Sequence, residues 1–158
     1  MKRQTTLSRV LIISVLLSLG CVALANGQTR RRPVADTGLV ALAEGEVLRI
    51  TVNGLGGDDN ITVGFRRIGY APQGTCSDGV CAYVVAGQSA FGPITLAPGE
   101  AASIDIPRSF AGGIFVGVRG VVSSSSRAVR VNAFIIEAAT GKIIASLDVP
   151  PLDINLLG

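Results

Sequence analysis

Apolar and polar side chains alternate with a period of two along most of this chain. Leu48, Ile50 and Val52 alternate with Arg49 and Thr51, and Ala102, Ile104 and Ile106 alternate with Ser103 and Asp105. Successive side chains of a strand point to opposite faces, so each run has one dry and one wet face, as in an antiparallel sheet covered on one side. Beyond residue 36 no stretch has helical periodicity. Short runs rich in Val, Ile, Thr and Phe are separated instead by Gly, Pro, Asp and Ser, which is the signature of strands and turns. Strands are expected at 38–42, 46–53, 60–68, 81–87, 92–96, 100–106, 113–122, 128–137 and 142–148. The fold class expected is all-β, an antiparallel β-sandwich.

The runs repeat. Gly38-Leu39-Val40-Ala41-Leu42-Ala43-Glu44-Gly45-Glu46 leads into Ile50-Thr51-Val52, and Gly92-Pro93-Ile94-Thr95-Leu96-Ala97-Pro98-Gly99-Glu100 leads into Ile104-Asp105-Ile106. Val63-Gly64-Phe65-Arg66-Arg67-Ile68 then parallels Val116-Gly117-Val118-Arg119-Gly120-Val121, and Ala82-Tyr83-Val84-Val85 parallels Ala133-Phe134-Ile135-Ile136. The offsets change only in expected loops, where insertions are tolerated. We read an internal duplication, residues 38–86 and 92–137. Each copy would form a four-strand unit with one apolar face, the two units would cover each other, and a ninth strand would lie near 142–148. The Leu-Ala-x-Gly-Glu turns would be hairpin connections, with Gly45 and Gly99 supplying positive φ.

The second of these turns and the alternating strand after it, residues 96–106, resemble a turn common in immunoglobulin-like β-sandwich domains of secreted bacterial proteins. The resemblance implies a fold and carries no functional residue.

The ends of the chain bear on compartment. Lys2, Arg3 and Arg9 precede an apolar run, Val10 to Leu19, interrupted only by Ser14 and Ser18. That run is shorter than the about 20 residues needed to span a bilayer and suits a signal-peptide core. Ala23-Leu24-Ala25 offers the small residues of a cleavage site, so residues 1–25 are expected to be removed. Ser18-Leu19-Gly20-Cys21 offers the alternative of lipidation at Cys21. The expected location is secreted or periplasmic, with no membrane span after signal removal. Losing Lys2, Arg3 and Arg9 leaves eleven of the fourteen basic residues against eleven acidic ones. A domain without net charge has no electrostatic footprint for nucleic acid. Residues 26–36, with Arg30, Arg31 and Arg32, read as a disordered basic leader, 37–148 as the domain, and 149–158 as an apolar tail.

Candidate chemistry is sparse. The chain has no His, which removes the commonest general base and metal ligand. Cys76 and Cys81 flank Ser77-Asp78-Gly79-Val80, and Asp-Gly favours a two-residue hairpin turn. The cysteines would then face each other about 4.5 Å apart, within reach of a disulfide. Asp58, Asp59 and Asn60 cluster oxygens that could hold calcium or simply shape a turn. Arg66 and Arg119 hold equivalent places in the two copies, either as a twofold anion-binding pair or as solvated arginines covering the outer faces. No catalytic residue and no cofactor is expected. The reading is a non-catalytic extracytoplasmic structural, assembly or binding module acting through its surface, with an unknown protein partner or itself. The alternatives are a ligand-binding protein, for calcium or a polysaccharide, and an enzyme of unfamiliar type.

Overall fold

The alternating runs form strands in the computed structural model, which describes residues 31–55, 59–74 and 81–152. In chain order these are β1 (Arg32–Asp36), β2 (Glu46–Gly54), β3 (Ile61–Pro72), β4 (Tyr83–Leu96), β5 (Ala101–Pro107), β6 (Ser109–Phe110), β7 (Gly113–Ile114), β8 (Gly117–Ser124), β9 (Val129–Glu137) and β10 (Ile143–Leu147). All pairings are antiparallel, and no helix occurs among the described residues. One four-stranded sheet runs β1-β8-β3-β4, a second runs β10-β9-β2-β5, and β6-β7 is a separate ribbon.

The alternation decides the core. Leu48, Ile50 and Val52 of β2 are buried, in one cluster with Val63 and Phe65 of β3 and Val118 and Val122 of β8. Each such side chain contributes about 1.5–3 kcal/mol on leaving water. Ile106 is fully buried, and Ala102 and Ile104 pack partly buried against the same cluster. Both alternating runs thus face one core. β2 and β5 are direct neighbours, with Leu48 opposite Ile106, Ile50 opposite Ile104 and Val52 opposite Ala102.

Several expectations change. The two four-strand units do not form one sheet each: the expected first unit places β2 in one sheet and β3 with β4 in the other. The Ala-x-Gly-Glu turns are corners between sheets, not hairpins. One leads from Val40, bridged to Val118 of β8, into β2, and the other leads from β4 into β5. Their local geometry is shared. The Glu46 N–H donates to the Ala43 carbonyl (3.2 Å) and the Glu46 carboxylate accepts from the Ala43 N–H (2.8 Å). Glu100 does the same with Ala97, at 3.0 and 2.8 Å. Gly45 and Gly99 have φ of 82° and 80°, as expected.

Residues 38–42 make only the bridge at Val40, because the chain must leave the sheet within a few residues to reach the corner. The expected strands 81–87 and 92–96 are one strand, β4. The twelve residues of β3 offer a continuous ladder, and register shifts absorb Ala86 and the Gly92-Pro93 pair. The expected strand 113–122 is divided. Ala111 and Gly112, with φ of 51° and 78°, close the β6-β7 hairpin, a turn needing two positive φ angles that Ala111 conceals in the sequence. Part of the expected disordered leader is ordered: Arg32–Asp36 pairs with β8 as β1, with Ala35 buried. The free edge of β8 supplies the partner that the short segment lacks alone. Met1 to Ala25 and the rest of the leader to Arg30, with Cys21, lie outside the described residues, as do residues 153–158 of the tail.

Candidate functional site

Among the described residues, β9 is left partly unpaired by a neighbour that ends early. β10 pairs with β9 only from Ile136 to Ala133, opposite Leu147. Beyond it the chain leaves the ladder at Val149, which the register would set opposite Val131, and Pro151, due opposite Val129, has no N–H with which to rejoin it. The chain crosses to the other sheet instead, where Pro151 bridges Ala35 and the Leu152 N–H donates to the Val34 carbonyl (3.1 Å). β9 continues for four more residues, Val129 to Asn132, paired with β2 on one side only.

The result is a groove of about 510 Å³ between β1, β9 and the chain after β10. Val34, Leu55, Val129, Val131, Val149 and Leu152 give it apolar walls, and Arg127 and Arg130 are its charged groups. Both arginines are exposed, and neither meets a carboxylate among the described residues. The volume falls within the about 300–1,000 Å³ of small-ligand sites.

Backbone polarity adds to the side chains. The Glu137 N–H donates toward Lys142 (2.9 Å), on the β10 side, and the Ala138 N–H donates toward Gly45 (2.8 Å), on the β2 side. Peptide orientation alternates along an antiparallel strand. Ile135 and Ala133, two and four residues before Glu137, accordingly face Ala145 and Leu147 of β10. Val131 belongs to the same alternation, so its N–H and C=O turn toward the groove, where no strand is paired among the described residues.

Two other polar centres are closed. On the outer face of the first sheet, Arg119 Nε donates to both carboxylate oxygens of Asp36 (2.8 and 3.0 Å), Nη2 donates to the same carboxylate, and Nη1 reaches the Tyr70 hydroxyl at 3.3 Å. The Arg119 hydrogen bond holds the Asp36 carboxyl below the usual carboxylate range, against the opposing effect of burial and with help from the Gly38 N–H. Asp36 and then Tyr70 raise the Arg119 guanidinium above its ordinary value. Arg119 is therefore already neutralised, while Arg66 is exposed. The two do not act as a matched anion-binding pair.

Arg67 lies on the inward alternation of β3 beside Phe65. Its guanidinium carbon sits 4.5 Å from the Phe91 ring centroid and 4.6 Å from that of Phe110, and Nε donates to Ser89 Oγ (2.6 Å). Rings on two sides make this a packing device, of the kind worth about 0.5–2 kcal/mol per cation–π contact.

Of the sequence-derived candidates, Asp59 and Asn60 are exposed and Asp58 lies outside the described residues. No group of three His, Cys, Asp or Glu that could hold a metal occurs among the described residues. Cys81 is described and Cys76 is not. The groove residues were not among the candidates. Their one signal was the proline pair directly after the last apolar run, of which Pro151 has no N–H with which to rejoin a ladder.

No protein-family model, curated protein or solved structure matches this chain.

Proposed function

We propose that this chain is a non-catalytic extracytoplasmic module of structural, assembly or binding type, and that it works through the groove between β1 and β9. The observation that supports this most is the combination in one place of apolar walls, the Val131 peptide group without a strand neighbour among the described residues, and two arginines without a carboxylate among them. A calcium ion would want clustered carboxylates and a polysaccharide would want aromatic faces, and the described residues that line this groove supply neither.

The finer fold reading belongs to the same proposal: an immunoglobulin-like sandwich that arose by duplication of 38–86 and 92–137. The matching Glu46 and Glu100 corners favour it, as does the reciprocal placing of Arg66 opposite Val121 and Arg119 opposite Ile68. The fourth strands of the two copies depart from it, since β4 and β9 lie in different sheets.

The test is affinity capture from the native extracytoplasmic fraction, with the full chain and its R127E/R130E variant as baits. A partner set retained by the first and lost by the second is the expected result. Equal recovery with both baits would overturn the groove as the working surface.

A further inference from the structure

We infer that the groove accepts an extended strand of a different protein, apolar at alternate positions and carrying a carboxylate, added to the free edge of β9. The inference rests on the groove being the working surface and names the partner's chemistry.

Three features converge on an extended peptide. The peptide group of Val131 faces a space where the sheet could hold another strand, and a strand added at a sheet edge gains main-chain hydrogen bonds while pockets read alternate side chains. Val34, Val129 and Val149 line that space and offer apolar surface to every second residue of such a strand. Arg127 and Arg130 stand at the same site without an acidic partner among the described residues, and a guanidinium pairs a carboxylate by charge-assisted hydrogen bonds. A rounded apolar ligand would use the walls and leave the backbone unsatisfied. A strand uses all three.

The described strands of a second copy fit poorly, which favours a different protein. The edge strands β1, β4 and β10 each carry a register shift, a device that turns an edge away from further pairing. Of the remaining edges, β5 pairs without a shift, but its one carboxylate, Asp105, is held by Arg49 through two hydrogen bonds of 2.7 Å, and the free part of β9, Val129 to Asn132, brings Arg130 and no carboxylate.

The test is titration of the full chain with a fluorescent peptide, acetyl-Asp-Val-Thr-Val-Thr-Val-amide, read by anisotropy. Saturable binding is expected, weakened about tenfold or more in R127E/R130E. Methylating alternate peptide nitrogens of the probe should also lower affinity about tenfold or more, because it removes the donors that a strand edge needs. The substitutions fall on exposed side chains, and circular dichroism of the variant should match that of the parent. A peptide that binds equally well to R127E/R130E, or equally well when methylated, would overturn the inference. So would self-association of the chain that R127E/R130E abolishes, since that would make a second copy the occupant. Absence of peptide binding, with partner capture still lost in R127E/R130E, would overturn strand addition alone and leave the groove as the working surface.

Discussion

Gly120 of β8 packs so closely against Ile50 of β2 that a Cβ at Gly120 would overlap Cδ1 of Ile50 and lie 3.1 Å from Cδ1 of Ile106. The absent side chain sets how near the two sheets come at this point. Gly120→Ala should therefore destabilise by overpacking, by about 1–3 kcal/mol. Ile50→Val alone should cost about 0.5–1.5 kcal/mol, yet it removes the atom that the added methyl group would strike. Urea unfolding of the double variant should show less loss than the two single losses combined. Strict additivity would mean that the contact does not limit the approach of the sheets.

The Asp36–Arg119 pair should make stability depend on acid. The folded pKa of Asp36 lies below the usual carboxylate value, so the folded state favours the ionised form. That contribution is present above about pH 4, the unfolded value, and is lost as pH falls toward the folded one. Asp36→Asn should cost about 1 kcal/mol at neutral pH, a modest figure because the Arg119 side chain is 38% exposed and the pair is screened. The difference from the parent should close as pH falls below 4, and a difference that persists there would assign the loss to packing instead.

Gly45 and Gly99 hold matching corners at opposite ends of the β2–β5 pair. Alanine at either should cost about 1–2 kcal/mol through its left-handed backbone. The two losses should add, because the sites share no partner. Thermal melts of the single and double variants check this, and a loss at only one corner would show that the turns are not equivalent.

The ladder entering the β3–β4 loop pairs Pro72 with Tyr83, and the Gln73 N–H donates to the Ala82 carbonyl (2.8 Å). That brings the chain flanking Cys76 and Cys81 together. Oxidised protein should show no free thiol from this pair under denaturation, and replacing both with Ser should cost about 2 kcal/mol. Two reactive thiols in protein taken from an oxidising compartment would exclude the bridge.

Export has its own readout. N-terminal sequencing of protein recovered from its native source should begin at Asn26. A blocked N-terminus carrying lipid at Cys21 would establish the alternative.

Much of the strand content could be read from residues alone, because a period of two is a local property. Leu48, Ile50 and Val52 announce their buried face whatever they pack against, and the same holds for Ile104 and Ile106. Gly45 and Gly99, each followed by Glu, likewise announce turns, since the glutamate needs only the peptide N–H three residues earlier, although that these turns join different sheets was not legible. The groove was not legible in this way. Val131 read as an ordinary inward residue, Val34 fell within the leader expected to be disordered, and Arg127 and Arg130 read as ordinary surface charges.

What the sequence by itself determined is therefore the all-β class, the inward face of each main strand and the positions of the two glycine turns. All of these follow from neighbours within a few residues. Only the tertiary structure decided which sheet each strand joins, that Arg32–Asp36 becomes a strand, and that β9 outruns β10 beside an open groove. Pairing is a contest among distant edges, and its outcome depends on which backbone groups are still free when a segment arrives. Arg32–Asp36 became β1 because β8 had such an edge, and β9 kept one because the chain after Leu147 left it for β1, where Pro151 bridges Ala35.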